Sequence, residues 1–186
     1  MSPSPSGRPA PRGDLSTFAV APFVHDGVSH DVYRKGAGPA VVVIPEIPGL
    51  TPMVLGFADR LVALGCTAVV ADLFGTPGRD PDARGPVRRG LYLARVVGQV
   101  CVSREFTMFA LGRSSPVVGW LRALAAAEFA RCGGPGVGVV GMCLTGGFAL
   151  AMAVDAHVIA PVLSQPSMPV GFTASRRASI DCAPQD

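Results

Sequence analysis

Charge is scarce in this 186-residue chain: Asp, Glu, Lys and Arg make up 16% of it, and the formal net charge is +3. Basic residues pair at Arg88-Arg89 and Arg176-Arg177 but gather into no dense run. A nucleic-acid partner is therefore not expected, because such surfaces need a concentrated basic face. Long apolar runs are lacking too: Asp, Arg, Pro or His bounds or interrupts every candidate for the roughly 18 to 20 residues that span a bilayer. No membrane partner is expected. The N-terminal MSPSPSGRPAPRGD has basic residues but no apolar stretch after them, so it does not read as a secretory signal. Cysteine is present five times, an odd number with no C-x-x-C pair, which fits neither a disulfide scaffold nor a zinc site. Free thiols in a reducing cytoplasm are the expectation, and no cofactor or metal is implied.

What is abundant is apolar sequence, 49% of the chain, enough for one sizeable core and one domain. Residues 1–16 are Pro, Ser, Gly and Arg with little to bury and read as a disordered tail, leaving 17–186 as the domain. Asp26-Gly27 between short apolar stretches predicts a tight β-hairpin. Ala40 to Ile44 is a β-branched run of the kind found in strands buried on both faces. Thr51 and Pro52 then open a helix with Val54, Phe57, Ala58, Leu61 and Val62 on one face, ended by Gly65. Thr67 to Leu73 reads as a second buried strand, followed by a helix over about Val87 to Val100 and a short one around Arg104 to Ala110. Ser115 and Pro116 repeat the helix start, with a stripe of Val117, Trp120, Leu121, Leu124, Ala125 and Phe129 running to Gly133-Gly134. Val137 to Val140, Thr145 to Val154 and Val158 to Leu163 read as strand, helix and strand. Such alternation predicts an α/β fold, a mainly parallel sheet with helices on both faces and right-handed crossovers.

The chemistry gathers where the third buried strand meets its helix, in Gly141-Met142-Cys143-Leu144-Thr145-Gly146-Gly147. A nucleophile on a sharp strand-to-helix turn is thrust up at the carboxyl edge of a sheet, and small neighbours such as Gly141 and Gly146 let the turn close. The following helix points its partial positive end at the thiol, and its first amides, beginning with that of Leu144, suit an oxyanion. The alternative for Cys143 is a buried small hydrophobe, the role expected of Cys66, Cys101 and Cys132.

Those residues resemble the G-x-C-x-G-G elbow of the dienelactone hydrolase family, with Thr145 standing where the elbow usually has Gly. Val43-Ile44-Pro45-Glu46-Ile47-Pro48-Gly49 is similar to the family's strand-ending segment around a Glu, and Asp72-Leu73-Phe74 and Ala160 to Pro166 follow the family's order. The resemblance implies an α/β-hydrolase-like fold and a hydrolase of small ester or lactone substrates. In it the thiol of Cys143 attacks the carbonyl, Glu46 partners the nucleophile, and Leu144 and Ile47 supply the oxyanion amides. The residues of the segment agree: Glu46 is one of three glutamates and follows a wholly apolar strand, at the edge where such sheets bind ligands. A solvated loop glutamate is the plainer reading of the same residue.

In the family a His and an Asp arrive on later loops, whereas here no His follows His157 and the chain ends at Asp186. The expectation is an α/β-hydrolase domain incomplete at its C-terminus, with a non-catalytic pseudoenzyme or small-molecule binding module as the alternative. His25 and His30 flank the hairpin turn and are expected to face solvent. His157 is expected at the opposite edge of the sheet from Cys143. Arg79, Arg84, Arg88 and Arg89 are read as surface charge rather than substrate anchors. Glu46, Asp72 and Cys143 should share one sheet edge, because each ends a strand-like run. The sequence leaves the oligomeric state open.

Overall fold

The computed structural model describes residues 13–83, 85–102 and 115–166, without the side chains of residues 101 and 102. Arg84, the short helix expected around Arg104 to Ala110 and the stretch after Pro166 lie outside the described residues, as do positions 1–12 of the expected tail. Gly13 to Ser16 belong to the fold instead. The Gly13 amide donates to the Pro52 carbonyl at 2.9 Å. Asp14 caps a 3-10 turn over Leu15–Thr17 through the Ser16 amide at 3.0 Å. Leu15 packs on the core, an apolar anchor that the polar composition around it hides.

Six strands form one sheet: β1 (Ala19–His25), β2 (Val28–Lys35), β3 (Ala40–Ile44), β4 (Thr67–Ala71), β5 (Val137–Met142) and β6 (Val158–Ser164). Their order across the sheet is β1-β2-β4-β3-β5-β6. β4, β3, β5 and β6 run parallel, while β1 and β2 form an antiparallel hairpin whose β2 pairs with β4. The hairpin turn is Asp26-Gly27, both at positive φ (47° and 76°), as a two-residue turn with right-handed strand twist requires.

β3 and, after Thr67, β4 are apolar because both of their faces are covered. On one face, Val43, Ala68 and Val70 meet Val54, Leu55 and Ala58 of α1 (Pro52–Ala63). On the other, Val42, Ile44, Val69 and Ala71 meet Val117, Trp120, Leu121 and Leu124 of α3 (Pro116–Cys132) and Tyr92, Val96 and Val100 of α2 (Pro86–Val102). α4 (Gly146–Ala151) joins that second face through Ala149 and Ala151. Thr51 caps α1 by accepting from the Val54 amide. Ser115 precedes Pro116 without a side-chain cap bond, and Gly133 ends α3 at φ 65°. Glu128, buried at 2% exposure, is held by Arg34 at 2.7 Å and by Arg131 at 2.6 Å, so α3 is tied to β2 by a paired charge.

The crossovers decide where a site can form. From β3 the chain passes through α1 on one face to β4; from β5 it passes through α4 on the other face to β6, on the opposite side. β3 and β5 are neighbours, so their carboxyl ends flank the topological switch point, where the two departing connections leave a crevice.

Candidate active site

Cys143 stands at that switch point with its backbone in the left-handed region, φ 54°. A residue other than glycine stays there only when its surroundings hold it, at a cost on the order of 1–3 kcal/mol. Here the hold is visible. Gly141, at the end of the β3–β5 ladder, is packed so closely that a Cβ would collide with the Thr145 carbonyl oxygen and come 2.8 Å from the Ala149 side chain. Gly146 is required for a different reason from the one expected: a Cβ there would lie 2.8 Å from Pro166, where the chain leaves β6.

The helix expected from Thr145 to Val154 is shorter. Cys143–Thr145 is a 3-10 turn, α4 has six residues, and Met152–Val154 is again 3-10. Gly146 and Gly147 open the segment, and glycine weakens a helix by about 1 kcal/mol per residue relative to alanine.

Ile44 pairs with Gly141 in the β3–β5 ladder and Val43 pairs with Val70 in the β3–β4 ladder. Continuing those registers sets Glu46 beside Cys143, with Asp72 one strand further out, so all three end at the carboxyl edge as expected. Glu46 is exposed, and among the described residues no hydrogen bond joins its carboxylate to the Cys143 thiol. The register brings the two residues to adjacent strand ends. Ile47 follows Glu46 and is half-buried, and its peptide with Pro48 is cis. Outside the helix and strand ladders, no described hydrogen bond uses the amide of Ile47 or of Leu144.

The loop carrying Glu46 is fixed by its neighbour, residues 73–78. A Cβ on Gly49, at φ 107°, would collide with the Phe74 carbonyl oxygen, and one on Gly75, at φ 72°, with that of Pro48. The Thr76 amide donates to the buried Tyr92 hydroxyl at 3.0 Å. The Arg79 guanidinium lies 3.9 Å from the Tyr92 ring centroid. Arg89 pairs with Asp82 at 2.9 Å across an exposed surface, and Arg88 is exposed.

Burial and the nearby Asp31 push the Asp72 carboxyl up to about 6. Asp72 and Asp31 are joined through the backbone, the Asp72 amide donating to the Asp31 carbonyl at 3.0 Å. This acidic pair lies at the β2–β4 boundary rather than beside the thiol.

The histidines divide differently from expectation. His157 is at the start of β6, where its carbonyl accepts from the Val137 amide at 2.7 Å and its ring stacks on Phe129 at 4.9 Å. It is therefore at the opposite edge from Cys143, as expected. His25 is half-exposed beside Asp26 at 3.4 Å. His30 does not simply face solvent: its ring packs edge-on against the buried Trp120 at 5.1 Å, on the strand face that Val32 also uses. Alternation along β2 puts it on α3, a contact invisible to local sequence. β2 lies three strands from β5, on the order of 14 Å at the usual strand spacing. Among the described residues no histidine stands beside Cys143.

Cys66 and Cys132 are half-buried rather than core residues, and they share that exposure with Cys143. Among the described residues no three His, Cys, Asp or Glu side chains gather as a metal site would, and no helix is long and apolar enough to cross a membrane. Thr145 was not singled out by its chemistry in the sequence. It is fully buried, and its hydroxyl accepts from the Met142 amide at 2.8 Å and donates to the Ile44 carbonyl at 2.8 Å.

Several solved structures share this fold. The structure of DcsB in complex with its substrate analogue is 18% identical, with a TM-score of 0.57, over 87% of this chain and 50% of that one. A Klebsiella pneumoniae subsp. pneumoniae protein described as a dienelactone hydrolase is 15% identical with a TM-score of 0.57, over 87% of this chain and 65% of its own. A dienelactone hydrolase-like promiscuous phosphotriesterase from metagenomic libraries is 20% identical with a TM-score of 0.51, over 89% of this chain and 65% of its own. The present chain thus spans between 50% and 65% of the length of these proteins. Comparison with curated proteins gives no match. The model of the dienelactone hydrolase family matches residues 31–169, a span that holds the Glu46 loop, the Asp72 strand end and the Cys143 elbow together. On that match the chain belongs to the dienelactone hydrolase family.

Proposed function

We propose that this protein is a hydrolase of small carboxylic esters or lactones with Cys143 as its nucleophile. The observation that carries the reading is the left-handed backbone of Cys143 at the β3–β5 switch point. A left-handed backbone at a strand-to-helix turn supports the reading, because it is the conformation in which a nucleophile is held out from the edge of such a sheet. In the reaction the sulfur attacks the carbonyl carbon and the thiol proton passes to Glu46, whose carboxylate swings in from its exposed position. The carbonyl oxygen becomes an oxyanion between the Leu144 and Ile47 amides. Collapse expels the alkoxide, which takes the proton back, and leaves a thioester on Cys143. A water activated by a base then releases the acid.

That last step is the weak one in the described structure, because no described histidine lies beside the thiol. The alternative reading is a module that binds or traps such substrates without turning them over. Free thiols suit a reducing compartment, so we place the protein in the cytoplasm, with the small ester or lactone as its partner.

The two parts of the proposal separate in one experiment. With p-nitrophenyl acetate, release of p-nitrophenolate should accompany acetylation of Cys143, located by peptide mass spectrometry and absent in Cys143→Ala. Release without an adduct on Cys143, or unchanged in Cys143→Ala, would remove the cysteine mechanism. An adduct that forms and is never released, with no slow phase after the burst, would support the trapping module.

A further inference from the structure

Thr145 is the polar side chain that touches both strand ends of the site. It has no exposed surface. Its oxygen accepts from the Met142 amide at 2.8 Å and donates to the Ile44 carbonyl at 2.8 Å, with the Met142 carbonyl at 2.9 Å as the competing acceptor. A hydroxyl has a single proton to give, so it bonds one of the two carbonyls at a time. Met142 is the residue before Cys143, and Ile44 lies two residues before Glu46. One oxygen atom therefore sits between the last residue of β5 and the last residue of β3, directly beneath the two groups assigned to the chemistry.

The consequence follows from what its removal would leave. Valine would fill the same volume but neither accept nor donate. The Met142 amide and the Ile44 carbonyl would then either stay unpaired in a buried place, which is unfavourable for a polar group, or close directly on one another. Direct closure would need an N–H to O distance of about 2.9 Å where two bonds now run through an intervening atom, and would draw the strand ends together. Closure moves the Cys143 turn relative to the Glu46 loop, and unpaired groups leave the two without the tie that holds their spacing.

We propose that the Thr145 hydroxyl is a spacer that sets the distance between the Glu46 loop and Cys143, which makes Thr145 a positioning residue for the nucleophile. This rests on the reading of Cys143 and Glu46 as a reactive pair.

The test uses the full chain and the uncharged alkylating agent iodoacetamide, with the rate at Cys143 followed by peptide mass spectrometry and the fold by circular dichroism. Thr145→Val should slow Cys143 alkylation about tenfold, as small misplacements of reacting groups do, while Thr145→Ser should stay within about twofold of wild type. The distinguishing readout is a double-mutant cycle: in a Glu46→Gln background the valine substitution should change the rate by less than about twofold, because the spacing it disturbs no longer matters. Thr145→Ala makes the same comparison with less volume if the valine variant does not fold. A folded Thr145→Val or Thr145→Ala protein that reacts like wild type would overturn the proposal. So would an equal loss in both backgrounds, which would mean that Thr145 acts on the elbow alone. Failure of the underlying pair reading is a different observation, a Glu46→Gln rate equal to wild type.

Discussion

Ile44 and Gly141 lie opposite one another in the parallel β3–β5 ladder, and each stands two residues before a candidate catalytic group, Glu46 and Cys143. A parallel register carries both chains past the sheet in the same direction, so two residues that are far apart in sequence come out side by side. The functional reading depends on this pairing, and the predictions below test what it implies.

Cys143 should react selectively. Cys66, Cys132 and Cys143 are all half-buried, so access alone predicts similar labelling of the three. Placement at a strained turn with open amides predicts that Cys143 is alkylated about tenfold faster than either in the folded protein. Equal rates by peptide mass spectrometry would return Cys143 to the role of a packing residue.

An acyl group on Cys143 should persist. Acylation needs only the thiol, Glu46 and the oxyanion amides, whereas release needs an activated water. We expect about one equivalent of p-nitrophenolate per chain and then a rate at least about tenfold slower. His157→Ala should leave both phases unchanged, because His157 is at the far edge of the sheet. Sustained turnover lost in His157→Ala would contradict that placement.

Gly141→Ala should damage the elbow itself. The added Cβ would press on the Thr145 carbonyl and lie 2.8 Å from Ala149, both on packed structure that cannot step aside. A loss of about 2 kcal/mol is expected, within the usual cost of overpacking, together with loss of Cys143 acylation. Urea unfolding monitored by circular dichroism measures the first; an unchanged midpoint would mean that the turn is looser than it looks.

Stability should fall as pH rises through the Asp72 titration. Burial and Asp31 raise its folded-state value to about 6 from the ordinary 3.8, so the folded chain holds this proton more tightly than the unfolded chain does. Below about 3.8 both states are protonated and the group has no effect. Between there and about 6 the folded state loses ground, and above that the penalty is constant. Asp72→Asn should remove the penalty and raise stability at pH 7 by about 1 kcal/mol, a figure discounted because solvent screens a half-buried carboxylate. Denaturant melts of both proteins at pH 4 and pH 7 measure it, and the gain should vanish at the lower pH.

β6 should promote self-association. Among the described residues it pairs along one edge only, with β5, and Ile159, Val162 and Leu163 are 54%, 47% and 37% exposed. An apolar edge strand is a template for another strand, and lysine on such an edge discourages it. Ile159→Lys with Val162→Lys should reduce light scattering on concentration without lowering the melting temperature by more than a few degrees.

The sequence by itself determined the elements and the local chemistry of the elbow. The β-branched runs of β3 and β4, the Thr51-Pro52 helix start, the Asp26-Gly27 turn and the strand-glycine-cysteine segment all act within a few residues, and local pattern carries such information directly. Local pattern points to Cys143 in this way, whereas the role of Glu46 beside it comes from the resemblance to the dienelactone hydrolase family. Tertiary structure decided what depends on distant partners. The strand order put β3 beside β5 and made a switch point of them. Thr145 found its acceptor at Ile44, 101 residues away. His30 met Trp120 through the pairing of β2 with β4, and Leu15 was drawn onto the core from a stretch that reads as a tail. The helix after Cys143 starts at Gly146, past a 3-10 turn that Thr145 ties to β3, and gives way to 3-10 again at Met152–Val154. Each of these is a choice among partners of similar local character, and only the packing of the whole sheet makes one of them the lowest in free energy.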